Sequence, residues 1–345
     1  MSIKHYGSLV SVGRCFGLVL VGTSCITAGC GGLAAAPAGD AKVVQAASLP
    51  STADEVAPKP RQLRVLSVGK PPLKQIRFEC EPGATATVEV ITESSSVSWG
   101  LGAAAREQQE VVWAELLSTV TEVSGDVISD VTEVKRATRL NDHPAHMFAE
   151  AEAELGQVRG LATLRSTSQR GKSIAAPTPT SWHPLQAVRS RLSQIEGALR
   201  RSTVEFPEQE IGVGACWQIE EVKVQDTYRS VSIIEFRLVG LAPNEATVRV
   251  WSHFRSEPLQ PKPPTQRSSD RGFLGSLEQT LQGSVRLRLD HPLPISGSLR
   301  SEFSSTIFLD EHRHSGADLS MCNADVVHLI LPRSRNSSAP AVRDP

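Results

Sequence analysis

Residues 283–290, Gly283-Ser284-Val285-Arg286-Leu287-Arg288-Leu289-Asp290, decide how the rest of the chain is read. Val285, Leu287 and Leu289 alternate one for one with Arg286, Arg288 and Asp290. An extended backbone sends successive side chains to opposite faces, so this alternation separates an apolar side from a charged one. That is the pattern of an antiparallel strand with one packed and one wet face. Its expected partner runs through Leu299, Phe303, Ile307 and Leu309, with Ser, Glu and Thr between them. Working back along the chain, Ile234, Phe236 and Leu238 repeat the pattern, as do Val248, Val250 and Phe254. Leu241-Ala242-Pro243-Asn244-Glu245 supplies the turn between those two strands. Further back, Ile76, Phe78 and Cys80 alternate with Arg77 and Glu79, and Val88 and Val90 with Thr87 and Glu89.

Two stretches need separate treatment. Residues 107–137 contain Glu, Gln, Ala and Leu, which suit a helix. They also contain a β-branched run, Val120-Thr121-Glu122-Val123, and a turn at Ser124-Gly125-Asp126. A long hairpin is the preferred reading and a helix the alternative. The second stretch, 184–201, places Leu185, Val188, Leu192, Ile195 and Leu199 on one helical stripe. Ser181 is the expected cap, Pro184 falls in the first turn, and Arg200 and Arg201 close the helix where positive charge suits its dipole. Pro207 stops it. The fold expected is α+β: a curved, mostly antiparallel sheet, half-open and barrel-like, covered by one main amphipathic helix. It forms a single domain over 62–332.

The amino terminus reads as an export signal over 1–29. Lys4 and Arg14 provide positive charge, and Cys15 to Ile26 is a short uncharged run. That run is shorter than the roughly 20 apolar residues of a membrane span. Ile26-Thr27-Ala28-Gly29-Cys30 resembles the lipobox of bacterial lipoproteins, with Thr27 where Leu is commonest. The resemblance implies lipidation of Cys30, palmitate included, and attachment to the membrane through that lipid. Cys25 is a second acceptor, and cleavage near Ala34 to Ala36 would instead release a soluble secreted protein. Residues 30–61 are rich in Ala, Pro and Ser and read as a flexible tether. Residues 333–345 read as a flexible tail.

Composition excludes several functions. The 345 residues carry 36 Lys and Arg against 37 Asp and Glu, a net charge of −1, which removes the positive field that nucleic acid binding needs. Gly171-Lys172-Ser173 lacks the glycine that a phosphate loop requires at 166, where Ser stands, and Pro177 and Pro179 follow where a helix should start. No nucleotide or other cofactor is therefore expected. His143 and His146, and His312 and His314, have ligand-like spacing. Neither HExxH nor CxxC accompanies them, so no metal site is assigned. No GxSxG turn presents a nucleophile, and no catalytic residue is assigned. Cys80, Cys216 and Cys322 read as small core residues; a disulfide between two of them is the alternative.

One segment is more distinctive. Phe206-Pro207-Glu208-Gln209-Glu210-Ile211-Gly212-Val213-Gly214-Ala215-Cys216-Trp217 ends the helix, turns through two glycines and starts a strand on a large core anchor. It resembles a segment of an uncharacterised family of bacterial envelope lipoproteins, which has Lys or Thr where this chain has Cys216. The resemblance spans about Leu73 to Pro332 and implies a secreted or anchored β-rich domain, with no catalytic residues. A non-enzymatic envelope protein that binds an apolar ligand or a lipidated partner is the leading expectation. Leu192, Ile195, Trp217, Phe236 and Trp251 are the candidate lining of a cavity, for which about 300 Å³ is the usual lower size. A structural or protein-interaction module of the envelope and a metal-assisted hydrolase are the alternatives.

Overall fold

The computed structural model describes residues 58–100, 103–140, 149–225, 228–258, 273–308 and 319–330. The chain order is β1 (Lys59–Ser67), β2 (Thr85–Gly100), β3 (Ala103–Ser124), β4 (Val127–Arg139), α1 (Ala149–Val158), β5 (Ala162–Ser168), β6 (Thr178–Pro179) and α2 (Gln186–Arg201). Then follow β7 (Cys216–Gln225), β8 (Tyr228–Ala242), β9 (Glu245–Pro258), β10 (Phe273–Arg288), β11 (Pro294–Phe308) and β12 (Leu319–Ile330). The strands form one sheet ordered β1-β7-β8-β9-β10-β11-β12-β2-β3-β4-β5-β6, every neighbour antiparallel. The sheet curves but does not close, because β1 and β6 remain its two edges. Two meanders, β2 to β6 and β7 to β12, are sewn together by the pairing of β12 with β2. The fold is the α+β, half-open arrangement that the alternation implied.

The local elements follow their residues. Val285 and Leu287 are fully buried and Arg286 is exposed, as the 283–290 pattern requires. β10 pairs with β11 so that Val285 faces Gly297 and Gln279 faces Phe303. Residues 107–137 form a hairpin, with Ser124 opposite Val127 and Gly125 at φ +58 in the two-residue turn. Only glycine takes that angle without steric cost.

α2 is the expected helix, with two corrections. It starts at Gln186 with Leu185 as N-cap and no side-chain cap, so Ser181 does not cap it. Instead His183 Nδ1 accepts the Leu185 N–H at 3.2 Å, and Arg189 donates to the carbonyls of His183 and Pro184. Leu185 is 50% exposed and leaves the stripe to Val188, Leu192, Ile195 and Leu199. Burying those four contributes roughly 6–12 kcal/mol before chain entropy is charged against it. A second helix, α1, was not anticipated; among its described side chains Leu155 and Val158 are buried. β1 begins at Lys59, inside the stretch expected to be tether.

The concave face changes character along its length. One row of register partners, Leu238, Val248, Val285, Gly297, Leu329, Val90 and Ala114, is wholly apolar or glycine. Four residues further along each strand, the row reads Ile234, Ser252, Leu281, Ser301, Asp325, Ser94 and Glu110. α2 lies across this polar row. Its Arg191 meets Glu110 at 2.6 Å and its Arg201 meets Asp325 at 3.0 Å. Two charged contacts ten residues apart thus tie down a helix whose apolar stripe is buried.

Candidate functional site

A cavity of 210 Å³ occupies the place where the sheet fails to close. Its walls come from α2 (Leu192, Ile195, Leu199), from β7 and β8 (Ile219, Ile234, Phe236) and from β4 and β5 (Val134, Thr163, Arg165). The two halves of the sheet approach one another here without exchanging backbone bonds, and α2 spans the gap. The space is smaller than the expected 300 Å³ and holds about seven waters by liquid volume.

Polar and charged side chains, among them Arg61, Arg165, Glu196, Arg200 and Glu205, share the lining with the aliphatic ones. Glu196 on α2 accepts a hydrogen bond from the Thr163 hydroxyl. Burial pushes its carboxyl up to about 7, against the opposing pull of Arg165 and Arg200. Arg165 is committed elsewhere: its Nη2 and Nε donate to Asp130 Oδ2 at 2.6 and 3.0 Å. The Ser118 and Thr132 hydroxyls reach the same oxygen at 2.7 and 3.2 Å. Asp130 Oδ1 is buried with no partner. Nearby, His291 Nδ1 accepts the Leu293 N–H at 3.1 Å, which leaves the proton on Nε2, itself buried and unpartnered. Burial lowers the His291 pKa to about 4, so the ring is neutral at physiological pH. Arg61 is ion-paired with Glu205. Arg200 has no ion pair among the described residues, and it stands exposed on the cavity wall.

The candidate lining residues separate into three groups. Leu192, Ile195 and Phe236 converge on the cavity. Trp217 does not line it. The indole is fully buried, stacked on Phe236 at 5.5 Å and packed on Phe206 at 6.0 Å, with Nε1 donating to the Glu205 carbonyl at 2.7 Å. It is core, and a close backbone crossing explains Gly212, whose Cβ would lie 2.0 Å from the Lys70 carbonyl oxygen. Trp251 is on the opposite face of the sheet, in an outer depression. Sequence reasoning missed Glu196, Thr163 and Arg200. Glu196 sits beside Ile195 on the helix and carried a usable signal; Thr163 carried none.

The remaining candidates are placed as follows. Cys80, Cys216 and Cys322 are half-buried and in no disulfide. Burial, with Asp290 and Asp130 adding, pushes the Cys80 thiol up to about 12, so it stays in its poorly nucleophilic protonated form. Gly171 takes φ +84, and a Cβ there would lie 2.1 Å from the Val204 carbonyl oxygen; together these account for the glycine without any phosphate. Among the described residues no three His, Cys, Asp or Glu side chains converge to hold a metal. Cys30, Cys25, His143, His146, His312 and His314 lie outside the described residues. No described helix is long and apolar enough to cross a membrane.

No protein-family model and no curated protein matches the chain. Among solved structures it aligns with DynF from the dynemicin biosynthesis pathway of Micromonospora chersina at 4% identity, covering 79% of this chain and 90% of that one, with a TM-score of 0.19. OmpF of Salmonella typhi aligns at 6% identity over 72% and 98% of the two chains, TM-score 0.22. A Rh. blastica porin aligns at 8% over 72% and 100%, TM-score 0.22. Neither a common arrangement nor a function is taken from these alignments.

Proposed function

We propose that the protein is a non-enzymatic envelope protein, exported by its first 29 residues and lipid-anchored at Cys30, that holds a small amphiphilic ligand in the cavity beneath α2. The observation that carries this reading is Arg200, a guanidinium with no ion pair among the described residues, standing on a wall shared with Leu192, Ile195, Leu199, Ile219, Ile234 and Phe236, where the other two arginines, Arg61 and Arg165, are already ion-paired. A wall whose aliphatic side chains flank one unpaired cation favours an apolar body bearing an acidic head. Glu196 supports the same choice, because a carboxyl that titrates near 7 gives up its charge to admit another anion. The cavity's size limits the ligand to a short chain rather than a phospholipid tail.

Thermal unfolding with added octanoate tests the binding. A saturable rise in Tm is expected, with an apparent affinity about tenfold weaker in R200E, an exposed position that leaves the core intact. No rise at millimolar octanoate would overturn it. Intact-mass analysis after detergent extraction tests the anchor. A chain that begins at Cys30 with added acyl mass supports it, and a chain that retains Met1 refutes it.

A further inference from the structure

On the face of the sheet away from α2, Arg237 of β8 and Arg249 of β9 are direct cross-strand partners. Both are exposed, and neither has an ion pair among the described residues. Like charges placed directly opposite destabilise a sheet. The neighbouring outer-face arginines avoid this: Arg286 pairs with Glu245, Arg288 with Asp290, Arg300 with Glu302 and Arg255 with Glu257. Arg237 and Arg249 instead border a depression of 660 Å³. Ser284, the next partner of Arg249, and Ser298, the partner of Ser284, continue the same register row across its floor. Trp251 and Glu235, themselves opposite one another, form one side, and Arg300 the far rim. Gly283 beneath is held to glycine, since a Cβ would lie 2.0 Å from the Ser298 carbonyl, and this keeps β10 and β11 closely apposed under the two serines.

We propose that this depression is a second binding site, distinct from the cavity beneath α2, for a phosphate group: a dianionic oxyanion bridged by Arg237 and Arg249. Planar guanidiniums match tetrahedral oxyanions in paired hydrogen bonds. The serine hydroxyls provide further donors. Two facing cations against the lone carboxylate of Glu235 leave the wall positive, so the sheet carries a repulsion that a bound dianion removes. Trp251 offers a flat face to whatever bears the phosphate.

The test uses the full-length protein at constant ionic strength, with three probes: inorganic phosphate, glycerol phosphate, and vesicles containing phosphatidic acid compared with phosphatidylcholine alone. Phosphate is expected to raise Tm saturably and to change tryptophan fluorescence. R249S and R237S should each weaken binding by about tenfold. Without anion both variants should unfold at the same or a higher temperature than the parent, which separates a lost site from a damaged fold. W251F should lose the fluorescence response and keep the Tm response. Binding of free phosphate identifies a soluble phosphate ester as the source, and binding of phosphatidic acid vesicles alone identifies a lipid headgroup. Absence of both responses, or their persistence in R237S/R249S, overturns the proposal.

Discussion

Replacing Glu196 by Gln should tilt the pH dependence of stability in one direction, and replacing His291 by Gln should tilt it in the other. Glu196 ionises near 7 in the folded protein and near 4.5 when unfolded. Its folded pKa is raised, so its contribution is fully present below pH 4.5 and is lost as pH rises through 7. A gap from 4.5 to 7 at about 1.4 kcal/mol per pH unit is about 3 kcal/mol, reduced to about 2 because the side chain keeps some contact with solvent. His291 behaves oppositely. Its folded pKa of about 4 lies below the ordinary 6.5, so its contribution is present above 6.5 and is lost as pH falls through 4. With 1% of the residue exposed, its full effect is about 3 kcal/mol. Over pH 4.5–6.5 the two slopes oppose each other, and the parent protein hides both.

Urea denaturation of the parent, E196Q and H291Q at pH 4, 5.5 and 7.5 separates them. Relative to the parent, E196Q should gain about 2 kcal/mol between pH 4 and 7.5. Relative to the parent, H291Q should gain about 3 kcal/mol between pH 7.5 and 4, whatever its absolute stability. Because only differences between pH values are read, the titration of every other carboxylate cancels. Parallel pH profiles for E196Q and the parent would show that Glu196 is solvated and ordinary, and the cavity beneath α2 would then be open to water.

Four further outcomes follow from packing and from one buried ion pair. G212A, whose Cβ would meet the Lys70 carbonyl at 2.0 Å, should lose on the order of 3 kcal/mol or more in urea denaturation. G125A should lose only roughly 1–2 kcal/mol, since its φ of +58 is the sole obstacle and the space around it is open. R201M strands the buried Asp325 carboxylate and should cost about 3–5 kcal/mol, much of which R201M/D325L recovers; equal losses in the single and double variants would mean that the pair carries no buried charge. L192A should cost about 3 kcal/mol and enlarge the cavity, so that decanoate gains affinity relative to octanoate in the same Tm titration.

The strands were legible because alternation is a local property. Val285, Leu287, Phe236, Leu238, Val248 and Val250 all lie on the buried face that their spacing assigned to them. The order of the sheet was not legible. The pairing of β12 with β2 and of β1 with β7 joins residues more than 100 apart, and no local pattern encodes which strand a meander returns to. α1 escaped because its Ala and Glu residues favour a helix without marking a buried stripe. Trp251 is the more instructive error: its size suggested an interior residue, whereas its odd position beside Val248 and Val250 already placed it on the opposite face.

That distinction between size and parity bears on how the two candidate sites arose. A sheet that closes leaves little interior beyond its side chains, but this one stops short, and α2 bridges the gap with Arg200 on one side and Arg201 on the other. Arg201 is consumed by Asp325 and holds the helix down, while Arg200, one residue away and about 100° around the helix, keeps no such ion pair among the described residues. Consecutive residues of like charge thus have different surroundings, one paired to the sheet and one standing on the cavity wall. Exchanging them tests this directly. R201M should lower Tm strongly, whereas R200M should leave Tm within about 1 °C and abolish the response to octanoate, since an exposed cation outside any ion pair contributes little to folding. Equal thermal losses in the two variants would place Arg200 in the scaffold and remove the charge on which ligand recognition rests.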